Sequence, residues 1–257
     1  MTFTAHELRR AVEADELVLL FHPQVDMRTG TAVAAEASLR WQHPEQGLLH
    51  AMKFVEAVPA SGLAREYMRW IARTAARQMA AWRAAKVRLE RVAINTWPES
   101  LRAELVDDVL AAAADAKIPP AAIEVETCPE ATYDDATLDV VRALRDAGVR
   151  TAWDDFGDGD VRYASLREAA FDVVKAPVTF VLRSGPYDDA VVRAAVGFAR
   201  AIGAVVVAEG VETVASRDRV RGLGCDIGQG YLWSRIVPGD RIPAALDAIT
   251  IDGARTT

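Results

Sequence analysis

The sequence predicts an α/β fold: a modified TIM (β/α)8 barrel whose first strand runs antiparallel to the others. Three observations carry this. The 257 residues suffice for one sizeable barrel core. Two neighbouring strand-like segments are joined only by Asp26-Met27-Arg28-Thr29-Gly30, so they must form a hairpin. From Arg91 onward, strand-like and helix-like segments alternate, as parallel strands with helical crossovers do. Residues 1–257 are therefore expected to form a single barrel domain. An open doubly wound sheet is the alternative, but no GxGxxG follows any strand.

The elements follow in order. Thr4 to Asp15 reads as a helix, with Thr4 as cap and Glu7 three residues on. Val18 to Val25 and Ala32 to Trp41 are the hairpin strands. Met52 to Pro59 and Leu63 to Ala85 carry apolar residues at helical spacing. Six further strands are expected at Arg91–Asn95, Ala122–Thr127, Val149–Asp154, Asp172–Lys175, Ala204–Glu209 and Cys225–Gly230. Between them lie the helix-like segments Ala103–Ala116, Asp135–Ala147, Asp188–Ile202 and Ser216–Gly222.

Composition removes several chemistries. The four histidines, His6, His22, His43 and His50, all fall in the first fifth of the chain, so no HExxH helix or late triad histidine exists. Lysine occurs only at 53, 86, 117 and 175. Cys128 and Cys225 form no disulfide framework and no thiolate zinc site, and two reduced thiols fit a cytoplasmic protein. No apolar run approaches the ~20 residues a membrane span needs, and no signal peptide is visible. The net charge of −7 argues against duplex DNA as a partner.

Polar residues recur where strands end. Glu36 interrupts an apolar strand, and Asn95, Glu126, Asp154-Asp155, Lys175, Glu209 and Gln229 close six successive strands. In a barrel those ends share one rim, which hosts active sites. Singly, a strand-end carboxylate is commonly a helix cap. Independent caps would not recur at every strand. Adjacent Asp154 and Asp155 repel unless a cation lies between them, and Glu36 and Lys175 need partners. Oxygen ligands of this kind suit Mg²⁺ or Mn²⁺, and paired carboxylates permit the two-metal chemistry of phosphodiester hydrolysis.

These residues resemble the EAL domain family, from about Leu17 to about Ile242. The likeness rests on Glu36-Ala37-Ser38-Leu39-Arg40-Trp41, Ala93-Ile94-Asn95, Glu124-Val125-Glu126, Asp154-Asp155-Phe156-Gly157, Asp172-Val173-Val174-Lys175, Val207-Ala208-Glu209-Gly210-Val211-Glu212-Thr213 and Gln229-Gly230-Tyr231-Leu232. The resemblance implies hydrolysis of cyclic di-GMP to linear pGpG on a modified TIM barrel. It implies that Glu36, Asn95, Glu126 and Asp154 hold a first Mg²⁺ or Mn²⁺, with Asp154 bridging and Asp155 on a second. Lys175 would contact the attacking water, with Glu209 as its carboxylate partner, metal ligand or base. Gln229 and Glu212 would orient water, metal ligands or nucleotide, and Arg40, Ser38 and His22 would face the nucleotide. A homodimer is implied, and family members usually carry sensory or cyclase domains.

The chain departs from the family pattern at several positions. Ser38 replaces the leucine of Glu-Ala-Leu, and His22 replaces a ligand-binding glutamine. Pro129 replaces a glutamate that tethers the next loop, and that loop reads Gly157-Asp158-Gly159-Asp160 instead of Gly-Thr-Gly-Tyr. Pro177 replaces an aspartate, and Ile236 a proline. The alternative reading is thus a catalytically degenerate domain acting as a cyclic di-GMP receptor or protein-interaction module. A different phosphodiester on the same metals is a third. Four other groups read as structural. Trp70, Trp82, Tyr67 and Met79 are core or dimer packing, His43 and His50 surface loop residues, the arginines from Arg65 to Arg91 a solvated helix face, and Cys128 an inert thiol.

Overall fold

The antiparallel hairpin of β1 (Leu17–Asp26) and β2 (Thr31–His43) starts the sheet. Parallel strands continue from β2: β4 (Arg91–Asn95), β5 (Ile123–Thr127), β6 (Arg150–Trp153), β7 (Val173–Ala176), β8 (Val205–Glu209) and β9 (Ile227–Gln229). β9 pairs back onto β1 and closes an eight-stranded barrel in which β1 alone is antiparallel. This computed structural model describes residues 3–127, 135–157 and 171–249. Cys128, Pro129, Asp158, Gly159 and Asp160 lie outside the described residues.

The helices enclose the barrel. α1 (Ala5–Glu13) starts where the sequence predicts: Thr4 accepts from the Glu7 amide, and the Glu7 carboxylate accepts from the Thr4 amide at 2.8 Å. α2 (Ala57–Ala60) is short, and α3 (Ala64–Ala84) buries Tyr67, Met68, Ile71, Ala75, Met79 and Trp82 at helical spacing. α4 (Ala103–Ala116), α5 (Asp135–Asp146), α6 (Val178–Leu182), α7 (Pro186–Ile202), α8 (Val214–Leu223) and α9 (Ile242–Asp247) follow among the described residues. Among the described residues, no helix is long and apolar enough to cross a membrane.

Three sequence expectations fail. Met52–Pro59 is not one helix; a single tight turn at Ala51–Lys53 and the one-turn α2 replace it, and Pro59 stands at the third position of α2. His43 is buried, not on the surface: its ring packs 4.8 Å from Trp41, and Nδ1 accepts from the Glu45 and Gln46 amides. Arg91 is not on a solvated helix; it is buried in β4 and pairs with fully buried Glu124 at 2.6 Å. Three short elements escape a periodicity reading: β3 (Gly47–His50), which extends β2, β10 (Val237–Pro238), which extends β1, and α6. They are too brief to show a period.

Candidate active site

The barrel lumen is layered. Ala152, Val173, Val207 and Ile227 form a small apolar cluster on β6 to β9. Two residues further along each strand stand Asp154, Lys175, Glu209 and Gln229. Side chains two apart share a face, so the strands that build the apolar layer also aim a polar layer at the rim. Pairing sets these groups side by side: Asn95 opposes Glu126, Glu209 opposes Gln229, and antiparallel β1 sets His22 opposite Glu36.

Lys175 is the centre. Its Nζ lies 2.8 Å from Glu126 Oε2, 2.8 Å from Glu209 Oε1, 3.2 Å from Asp154 Oδ1 and 3.6 Å from Glu36 Oε2. Burial opposes the charge on Lys175, but these carboxylates hold its pKa well above the ordinary lysine value. Burial pushes the Glu209 carboxyl up to about 8, and Glu126 is also raised well above the usual range, burial being the main cause. Glu36 goes the other way. Burial would raise it, but Lys175 and the amides of Gln229 and Asn95 pull it below its ordinary value.

Glu36 is gripped at both oxygens. Asn95 Nδ2 donates to Oε1 at 2.7 Å, and Gln229 Nε2 to Oε2 at 2.6 Å. Gln24 Nε2 donates to Gln229 Oε1 at 3.0 Å. Sequence reasoning missed Gln24, although it stands two residues from His22 on one strand. It also missed the Arg91–Glu124 pair, which lies deeper in the same lumen on β4 and β5.

Trp153 and Phe156 pack outward with Phe198 at 5.3 and 5.6 Å between ring centres, clamping the segment that carries Asp154 and Asp155. Asp155 has φ 50°, a left-handed conformation that a non-glycine residue adopts at a cost, and such strain clusters at functional sites. Gly230 serves the neighbouring strand: a Cβ there would lie 2.1 Å from the Val211 carbonyl oxygen, so only glycine lets β9 end against the turn after β8.

The residues fit a divalent cation. Asp154, Asp155 and Glu209 each offer an oxygen within 4.8 Å of the others, and Glu126 Oε1 is buried with no hydrogen-bond partner among the described residues. The donor set is all oxygen, suited to a hard cation. Among the predicted nucleotide-facing groups, Ser38 lines a cleft of about 730 Å³ with Asn95, Trp97 and Pro98. Arg40 donates to Ser38 Oγ and the Leu39 carbonyl, both at 2.8 Å. Glu212 is exposed on the turn after β8 and makes no described contact with the cluster.

Comparison with known proteins agrees with this geometry. Over 253 residues the chain is 34% identical to the cyclic di-GMP phosphodiesterase NbdA of Pseudomonas aeruginosa, covering 96% of this chain and 32% of that protein. It spans about a third of the length of the first curated relatives it matches. The solved structure of the PaMucR phosphodiesterase in complex with c-di-GMP superposes with a TM-score of 0.86 at 31% identity, covering 92% of this chain and 98% of that one. The EAL domain of Mycobacterium smegmatis DcpA gives 0.77 at 31% identity, covering 91% and 98%. Residues 5–236 match the EAL domain, and the chain belongs to that family.

Proposed function

We propose that this chain is a Mg²⁺- or Mn²⁺-dependent phosphodiesterase that hydrolyses cyclic di-GMP to linear pGpG on one barrel domain, residues 1–257. The observation that carries it is the ring of carboxylates around buried Lys175. A phosphodiester needs charge stabilisation at phosphorus, and so acidic a lumen is costly to keep without cations. Bound cations would supply Lewis-acid stabilisation of the phosphoryl oxygen and a more acidic water.

The chain's own residues do the rest. Glu36, Asn95, Glu126 and Asp154 would hold one cation, and Asp154, Asp155 and Glu209 the second. Lys175, held charged, donates from Nζ to the attacking water, while Glu209 Oε1 takes or returns its proton. Arg40, Ser38, His22, Glu212 and Gln229 would contact or orient the nucleotide, and the 730 Å³ cleft beside Ser38 and Asn95 supports that placement. A homodimer is supported by exposed Val178, Leu182, Tyr187 and Val214 around α6. The thiol content fits the cytoplasm.

The reading as a degenerate domain keeps one specific support. Arg40 is buried and donates to Oγ of Ser38, the residue that replaces the family's leucine, so part of its donor capacity is used within the chain. Mn²⁺-dependent formation of pGpG, beside calorimetric binding of cyclic di-GMP, separates the two. Turnover lost in Glu36→Ala supports the enzyme; tight binding without turnover supports the receptor.

A further inference from the structure

We infer that His22 is a positioning residue: as one fixed neutral tautomer it orients Gln229, and through Gln229 it holds the Glu36 carboxylate in its cation-binding pose. The inference deepens the metal-dependent reading above and rests on it.

The geometry assigns the protons. Gln229 Nε2 lies 2.6 Å from Glu36 Oε2 and 3.2 Å from His22 Nδ1. An ionised carboxylate can only accept, so the amide nitrogen, not its oxygen, must face Glu36. One amide hydrogen is thus used on Glu36. The second meets His22 Nδ1, which must accept it and so carries no proton. On the far side of the ring, His22 Nε2 lies 3.1 Å from the Ser234 carbonyl oxygen, which can only accept. Nε2 therefore carries the hydrogen. Both contacts demand the same tautomer.

Every hydrogen-bonding site of the Gln229 amide nitrogen is then used, and its oxygen accepts from Gln24 at 3.0 Å. Gln229 is buried, so its amide has no water to turn towards. The ring also spans two parts of the chain, since Gln229 ends β9 and Ser234 lies in the turn beyond it. The inverted first strand makes this possible. His22 and Gln24 are two apart on β1, so both face the lumen, opposite Glu36 and Gln229 respectively.

A glutamine at position 22 has the same donor and acceptor pair. Its oxygen could accept from Gln229 and its nitrogen could donate to the Ser234 carbonyl. Leucine offers neither, and threonine is too short to span both. Loss of groups that orient a metal ligand typically costs about 10–100-fold in metal affinity.

The test is Mn²⁺ binding to the intact chain, read as free Mn²⁺ by electron paramagnetic resonance. It is paired with the Mn²⁺ dependence and limiting rate of pGpG formation. His22→Leu is expected to weaken Mn²⁺ binding at least about tenfold, with a smaller change in limiting rate at saturating Mn²⁺. His22→Gln is expected to bind Mn²⁺ within about threefold of the unaltered protein, and His22→Thr serves if the leucine variant does not fold. Equal Mn²⁺ binding by the unaltered, leucine and threonine forms overturns the inference. So does a glutamine form as weak as the leucine form. Failure of the unaltered protein to bind Mn²⁺ overturns the metal reading itself, and this inference with it.

Discussion

The Lys175 ammonium lies 2.8 Å from Glu209 Oε1, yet burial still pushes the Glu209 carboxyl up to about 8. The ammonium pulls that pKa down, but burial outweighs the pull, helped by the nearby charges of Asp154 and Glu36. The ammonium is shared among four carboxylates.

A pH dependence follows for the metal-free protein. The folded Glu209 pKa is raised above its ordinary value of 4.5, so between there and about 8 the folded state binds more protons than the unfolded state. Stability from this group therefore falls as pH rises through that window. In chelator, the melting temperature should drop from about pH 6 to about pH 9, and Mn²⁺ should raise it more at the higher pH. A Mn²⁺ effect independent of pH would contradict this.

Lys175→Met removes a cation that touches all four carboxylates. Turnover should fall by at least about 10²-fold, as expected for loss of a positioned charge. Added Mn²⁺ should restore the melting temperature but not the rate. Steady-state kinetics and thermal melts on the same sample check both parts.

Arg91→Met leaves Glu124, which has no exposure to water, with Arg150 at 3.6 Å as its remaining described cation. The loss should lie towards the lower end of the about 3–5 kcal/mol typical of a broken buried pair. The double variant Arg91→Met/Glu124→Leu should recover much of this. By contrast, Arg65→Ala removes an exposed arginine from Asp108, which Arg69 also contacts, and should cost far less. Urea unfolding ranks the three.

Gly230→Ala sets a methyl group 2.1 Å from the Val211 carbonyl oxygen, so the end of β9 must shift. Gln229 shifts with it, and small misplacements of this kind cost about 10²-fold in rate. Activity should drop far more than the fraction folded, measured by circular dichroism.

Much of the site was legible because a strand has a period of two. Glu36, Asn95, Glu126, Lys175, Glu209 and Gln229 each stand on or at the end of a strand, and barrel closure brings them to one rim. Of the carboxylates that Lys175 touches, the resemblance implied Glu209 alone; the contacts to Glu126, Asp154 and Glu36 depend on how β5, β6 and β2 converge. Arg91 and Glu124 pair only once the β4–β5 register is known. His43 is buried by Trp41 and Phe3, and Phe3 is forty residues away in sequence. Glu212 is exposed on the turn after β8, and no described contact ties it to the cluster.

On the proposed function, the carboxylate ring around Lys175 is a divalent-cation phosphodiesterase site. Hydrolysis of cyclic di-GMP by the intact chain with Mn²⁺, followed as pGpG and compared with Glu36→Ala, tests it most directly. Mn²⁺-dependent pGpG formation that chelator abolishes and Glu36→Ala lacks is the expected result. Turnover no greater than that of Glu36→Ala, at micromolar protein and saturating Mn²⁺, would contradict it.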